Sequence, residues 1–151
     1  MIKTIIKRNG REEAFDSEKS ALWAEEAAVA GADWPSILID VCKRLGKTVK
    51  SQEFQDAMIQ SCIDKEDTAH DKMAGRLYIG KMYKQCHGSI DHIPTLSEFY
   101  HEMVTLGFWA DMGYTDDELE FYNNYLNHDK DLTYTYSQLK QIITKYSAQD
   151  R

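Results

Sequence analysis

Apolar residues recur at helical spacing along most of this chain, and the exception is its beginning. Lys3–Arg8 and Arg11–Phe15 read as two short strands joined at Asn9-Gly10, since those two residues tolerate the successive positive φ angles of a type I′ turn. Asp16 or Ser17 then offers a side-chain oxygen to the free amides of a helix beginning near Glu18, and the Ala-rich "SEKSALWAEEAAVAG" predicts its continuation to Gly31 as C-cap. Trp34-Pro35 opens a second helix, with Ile37, Leu38, Val41, Cys42 and Leu45 on one face before Gly46. A third starts at Ser51 and aligns Phe54, Ala57, Met58 and Cys62. A fourth starts near Thr68 and carries Ala69, Met73, Leu77 and Gly80 toward Gly88. Each stripe is too narrow for a lone helix and suits one member of a small bundle. Residues 1–88 therefore predict a mainly α fold, a four-helix bundle capped by a short β-hairpin.

"SIDHIP", residues 89–94, reads as a linker, because it follows a helix-ending glycine and closes on a proline that disfavours helix just before it. Leu96, Phe99, Tyr100, Met103 and Val104 mark a fifth helix ending at Gly107. Thr115-Asp-Asp-Glu118 is a capping box that opens a sixth, with Leu119, Tyr122 and Leu126 inside it. "NHDKDLTYTYSQLKQIITKYSAQDR" then gives a polar loop, an alternating Tyr/Thr stretch and a last helix. This further helical segment, residues 89–151, is aromatic-rich with no second layer to cover it, so its exposed apolar face is expected to need a partner.

Charge narrows the partners. Eighteen Lys+Arg against twenty-five Asp+Glu in 151 residues leave a formal charge of −7, which disfavours a nucleic-acid or anionic-membrane binder. No apolar run approaches the roughly 18 residues of a membrane span, and "MIKTIIKRNG" lacks the apolar core of a signal peptide. A cytoplasmic location is the expectation. Cys42, Cys62 and Cys86 form no Cys-x-x-Cys pair and have no His at zinc-finger spacing, so they read as buried free thiols and no metal site is expected.

Two short stretches hold candidate chemistry. In "IIKRNGREEAFDSEK", Lys7 and Arg8 flank a turn whose strands lead into a helix N-terminus, and Lys19 lies in that helix's first turn. Three cations and the positive end of a helix dipole can converge there on a phosphate group. Pairing of the same cations with Glu12, Glu13, Asp16 and Glu18 is the plainer alternative. In "NHDKD", a His between carboxylates suits a metal or an acid–base pair, or a set of structural hydrogen bonds in a polar loop.

"IIKRNGREEAFDSEKS" resembles the opening of the ATP-cone, the nucleotide-binding regulatory domain at the N-terminus of many ribonucleotide reductase large subunits. "VKSQEFQDAMIQSC" is similar to that family's third-helix segment and "AGRLYIGKMYKQCHG" to its fourth. "NHDKDLTYTYSQLKQIITKYSAQDR" is similar to the start of the large subunit's own N-terminal helical region in class I reductases, with His128, Asp129, Asp131, Tyr134, Tyr136, Lys140, Lys145 and Tyr146 matching. The resemblance implies an ATP-cone-like regulatory domain over 1–88 and the start of the helical region over 89–151. It also implies a structural role for "NHDKD".

Carried over by position, the resemblance implies nucleotide contacts from Ile5, Lys7 and Arg8 of the hairpin, Glu13 and Asp16 near ribose or base, Lys19 near the phosphates, Ser51 where Thr is usual, and Lys84 on the fourth helix. Gln55 stands where a His is common, and Ser20 where an aliphatic residue helps form the adenine pocket. The implied ligands are ATP or dATP as allosteric effectors, with or without Mg, and no catalytic cofactor. No catalytic residue is expected, because Cys42, Cys62 and Cys86 match no catalytic cysteine of the family. The implied partners are a chain holding the catalytic barrel and a radical-generating small subunit, together making deoxyribonucleotides for DNA replication. A split large subunit or a truncated piece would each give such a chain. A degenerate cone serving as a non-catalytic assembly or regulatory module is the other reading.

Overall fold

A computed structural model describes residues 1–149, with side chains through Ile143; the side chains of Lys145 and Tyr146 lie outside the described residues. The described chain is mainly helical, with a small three-stranded sheet. It divides into two compact units, Met1–Lys81 with the chain from Leu132 onward, and Met82–Asp131.

The first unit opens with strands β1 (Thr4–Ile6) and β2 (Glu12–Ala14), paired antiparallel with Ile5 opposite Glu13. The connecting turn differs from the expected type I′. Gly10 alone has positive φ, at 82°, while Asn9 does not. The Gly10 amide donates to the Lys7 carbonyl at 2.9 Å and the Lys7 amide to the Arg11 carbonyl at 2.8 Å, giving a three-residue loop in which one glycine absorbs the left-handed position.

Helix α1 (Ser17–Ala27) is capped by Asp16, whose Oδ1 accepts from the Lys19 amide at 3.0 Å. It stops short of Gly31. The cap residue Ala28 is extended, its carbonyl oxygen accepts from Arg76 at 3.0 Å, and Gly31 serves the turn that follows, at φ 90°. Helix α2 (Trp34–Arg44) starts from the Asp33 cap with proline in its first turn. Between α2 and the next helix lies a strand that the periodicity does not announce, β3 (Thr48–Lys50). It runs parallel to β1, with Ile5 beside Val49 and Ile6 beside Lys50, so the sheet order is β2-β1-β3.

Helices α3 (Ser51–Ile63) and α4 (Thr68–His87) follow. Ile37 and Val41 of α2, Met58 and Cys62 of α3, and Met73, Ala74 and Leu77 of α4 are at most 1% exposed, and Ala24 of α1 joins them in one core. Burying such side chains contributes about 1.5–3 kcal/mol each, before the opposing loss of chain entropy. Polar groups enter this core only with partners. Ser61 donates to Asp40, and the Asp33 amide donates to Nε2 of buried His70, whose Nδ1 lies 2.6 Å from Asp67 Oδ2. The last helix, which starts at Tyr136, belongs to this unit. The Ser137 amide donates to Asp71 at 3.0 Å and the Tyr136 ring meets Tyr78 edge-on at 5.6 Å.

The second unit holds helices α5 (Leu96–Thr105) and α6 (Asp116–Asn123), packed on each other. Both carry the Thr/Glu capping box, Thr95 with Glu98 and Thr115 with Glu118. Helix α6 ends at Asn123, which leaves Leu126 outside it and half exposed. The expected polar loop contains a short 3-10 helix, His128–Thr133. There the Tyr83 hydroxyl donates to Asp131, and His128 Nδ1 lies 3.3 Å from the same carboxylate. Leu106, Phe108, Met112, Phe121 and Tyr125 are all exposed, Phe108 and Tyr125 at 74%.

The three cysteines are free, but only Cys62 is fully buried. Cys86 is exposed, because it lies nine residues beyond Leu77, the last fully buried residue that α4 supplies. Among the described residues no helix is long and apolar enough to cross a membrane.

Candidate nucleotide-binding site

Strand pairing decides which side chains of the hairpin share a face. Directly opposed residues point the same way, so Ile5, Lys7, Arg11 and Glu13 lie on the face that also bears Phe15 and Val49. Val49 is buried, and Ile5 and Phe15 pack against the core. The inner face of the hairpin therefore ends in charged groups: Lys7 Nζ lies 3.2 Å from Glu13 Oε2, each side chain about one-third exposed. Arg11 binds the other oxygen of Glu13. Its hydrogen bonds to Arg11 and then Lys7 hold the Glu13 carboxyl below its usual range. Arg8 sits exposed in the turn.

The parallel strand brings in the second part. Because Ile6 pairs with Lys50, β1 ends beside Ser51, the first residue of α3. Lys50 supplies no side-chain cap to α3; its own amide donates to Glu53 at 3.0 Å. The first-turn amides of α3 thus keep donors that an anion can take. Helix α1 has spent one such donor on Asp16, which acts as its cap. Phe15 and Trp23 both contact the Phe54 ring, at centroid separations of 5.8 and 6.5 Å, and this holds the start of α1 against α3.

Seven of the nine expected binding residues are thereby carried on three adjoining elements of one unit: Ile5, Lys7 and Glu13 on the hairpin, Asp16 and Lys19 at the start of α1, Ser51 and Gln55 on α3. Arg8 belongs to the same hairpin but points its charge into solvent at the turn. Lys84 is in the second unit, on the last turn of α4.

Gln55 is 2% exposed, and its Nε2 donates to the Leu77 carbonyl oxygen at 3.1 Å. Ser20 donates its hydroxyl to the Asp16 carbonyl at 2.8 Å, satisfying itself on its own helix. Sequence reasoning missed Arg11 as the second partner of Glu13 and Leu77 as the partner of Gln55. Arg11 had a signal, its i+2 position from Glu13 on one strand face; the Leu77 contact had none.

A groove of about 550 Å³ lies elsewhere in the first unit, between α2 and α3, and none of the expected residues lines it. Arg44 spans it, 2.7 Å from both Asp40 and Asp64. Among the described residues no cluster of three or more His, Cys, Asp or Glu side chains is arranged to hold a metal ion.

No protein-family model matches the chain. Curated relatives do. It is 26% identical over 109 residues to ribonucleoside-diphosphate reductase 1 subunit alpha of Escherichia coli, covering 68% of this chain and 14% of that subunit. It is 23% identical over 152 residues to the reductase subunit alpha of Helicobacter pylori, covering 97% of this chain and 19% of that one. The alpha subunit of Buchnera aphidicola from Acyrthosiphon pisum gives 26% over 159 residues, 97% of this chain and 20% of the subunit. Over nearly its whole length, then, the chain is similar to ribonucleoside-diphosphate reductase alpha subunits, and it spans about one fifth of theirs.

Proposed function

We propose that this chain is the regulatory part of a ribonucleotide reductase large subunit, its N-terminal piece, and that residues 1–88 are an ATP-cone-like domain that binds ATP or dATP. The observation that carries this reading is the register of the sheet. It sets Lys7 on the inner face of the hairpin and ends β1 beside the uncapped first turn of α3, where Ser51 stands. A cation and a set of free amides at one place suit a polyphosphate. Ile5, Glu13 and Asp16 then adjoin the nucleoside and Lys19 the phosphates, with or without Mg.

Residues 89–151 are the start of the helical region. The exposed apolar residues between Leu106 and Leu126 suit burial against a chain carrying the catalytic barrel, which in turn acts with a radical-generating small subunit. Regulation follows if each nucleotide stabilises the assembly state that it binds better. Isothermal titration of the chain with ATP and dATP tests the binding, and co-elution with the barrel-bearing chain tests the assembly. Heat with neither nucleotide at millimolar concentration removes the first claim, and separate elution removes the second.

A second reading is a degenerate cone that serves as an assembly or regulatory module without nucleotide. Glu13 already engages Lys7 and Arg11, and Ser20 bonds its own helix in place of presenting an apolar wall. Co-elution without any nucleotide effect is its signature.

A further inference from the structure

We infer that the exposed apolar surface of the second unit docks on a protein face that is apolar at its centre and ringed by Lys and Arg. This rests on the assembly reading above and specifies the chemistry of the face that the barrel-bearing chain presents.

Charge is spread unevenly along the chain. Between Lys84 and Lys130 there is no Lys or Arg, while nine Asp and Glu and four His fall there. Leu106, Phe108, Phe121 and Tyr125 are exposed in the same stretch, and the rings of Phe121 and Tyr125 lie 5.3 Å apart. Helical spacing sets carboxylates beside them: Glu102 stands one turn before Leu106 and Asp117 one turn before Phe121.

Several of these carboxylates are engaged within the unit. Glu98 and Glu118 close capping boxes, Asp116 accepts from Ser97, and Asp111 accepts from Tyr100. Glu102 and Glu120 are not: neither side chain has a hydrogen bond or an ion pair among the described residues. Both also stand in the last turn of a helix, α5 and α6, and neither last turn holds a Lys or Arg. The negative end of a helix dipole favours a cation. A lone carboxylate at each of two such ends runs against the stability of the unit itself, as residues kept for a partner do.

These carboxylates select the occupant. Any apolar face would gain from covering Phe108 and Phe121, but on a neutral face the neighbouring carboxylates lose water without compensation, and an acidic face repels them. A second copy meeting through the same surface would set acid against acid. Lys and Arg around an apolar centre answer both needs.

The test is calorimetry of the full chain against the barrel-bearing chain at low and high salt, for the native protein, the double variant Glu102→Gln with Glu120→Gln, and Phe108→Ser. Native association is expected to weaken with salt. The double variant is expected to melt no lower than the native chain, to bind about fivefold more weakly at low salt, and to lose part of the salt dependence. Phe108→Ser is expected to bind more weakly at both salt levels. Native association that is indifferent to salt, a double variant that binds like the native chain or melts below it, or Phe108→Ser that binds normally overturns the inference and leaves the assembly standing. Self-association of the native chain that the double variant abolishes seats a second copy here and overturns it too. Native chain that does not bind the barrel-bearing chain at low salt overturns the assembly reading and this inference with it.

Discussion

The backbone carbonyl oxygen of Tyr134 stands where a Cβ on Gly75 would lie, so the chain leading into the last helix crosses α4 in direct contact with its backbone. Gly75 has no positive φ; only the close approach requires glycine here. Ala is favoured over Gly inside a helix by about 1 kcal/mol, yet Gly75→Ala must push against a backbone atom that no rotamer change can move. Overpacking of that kind costs about 1–3 kcal/mol, and lifting Tyr134 also pulls Ser137 from Asp71 and Tyr136 from Tyr78. Gly75→Ala is expected to be destabilised in urea unfolding. A stabilised variant would show that the crossing is loose.

This crossing also marks where sequence reading stops. Several helix starts were legible because their signals are local: Asp16 caps α1, Pro35 stands in the first turn of α2 and Thr115 caps α6, whereas the caps Asp33 and Thr95 were seen only in the structure. The hairpin was legible, but its turn type was not, since Asn-Gly also serves a three-residue loop. β3 was illegible because three residues cannot show a period, and only their pairing with β1, more than forty positions away, makes them a strand. The same strand aligns Ser51 with the hairpin. Position along the chain could nominate Lys7, Ser51 and Gln55, but only the parallel pairing sets the hairpin against α3, and only the fold commits the Gln55 donor to Leu77.

Asp67 and His70 give an acid-side expectation. The Asp33 amide donates to His70 Nε2 at 3.0 Å, so that nitrogen is unprotonated and Nδ1 donates to Asp67. The His70 backbone amide, first, and then its ring hold the Asp67 carboxyl below the ordinary 3.8. A carboxyl depressed on folding adds stability that is present above pH 3.8 and lost as pH falls through the folded-state value. Asp67→Asn is expected to lose part of the acid-side slope of stability below pH 4, as read by urea midpoints, and to change little between pH 6 and 8 in that slope.

The alkaline side turns on Tyr83. Burial, then the hydrogen bond to Asp131, pushes its phenol above the usual 10. A group raised on folding contributes stability that is complete below pH 10 and is lost as pH climbs toward the folded-state value. Tyr83→Phe should therefore unfold less steeply with rising pH between 9 and 11 than the native chain. Lysines and thiols titrate there in both proteins, so the difference isolates Tyr83. Identical slopes would place the phenol in solvent.

Thiol chemistry should follow burial. Cys62 lies in the core and burial pushes its thiol up to about 12, which leaves almost no thiolate at neutral pH. Cys42 is partly buried and raised in the same direction by burial, whereas Cys86 is exposed. An aromatic disulfide reagent at pH 8 is expected to label Cys86 first, Cys42 more slowly and Cys62 only on unfolding. Mass spectrometry of the tryptic peptides reads the order, and early labelling of Cys62 would contradict its place in the core.

Lys7 separates binding from folding. Its pair with Glu13 is one-third exposed on both sides, and pairs so open to solvent contribute about 0–1 kcal/mol to stability. Lys7→Ala should therefore melt close to the native chain. A charge-assisted hydrogen bond to phosphate contributes more, about 1.5–3 kcal/mol, so the same variant is expected to bind ATP at least tenfold more weakly. Binding should also fall with added salt in the native chain, and fall less steeply once Lys7 is gone, because one screened charge has been removed. Calorimetry at two salt concentrations measures both effects. An unchanged affinity with an unchanged melting temperature would leave Lys7 with Glu13 as its sole partner and remove the hairpin from the site.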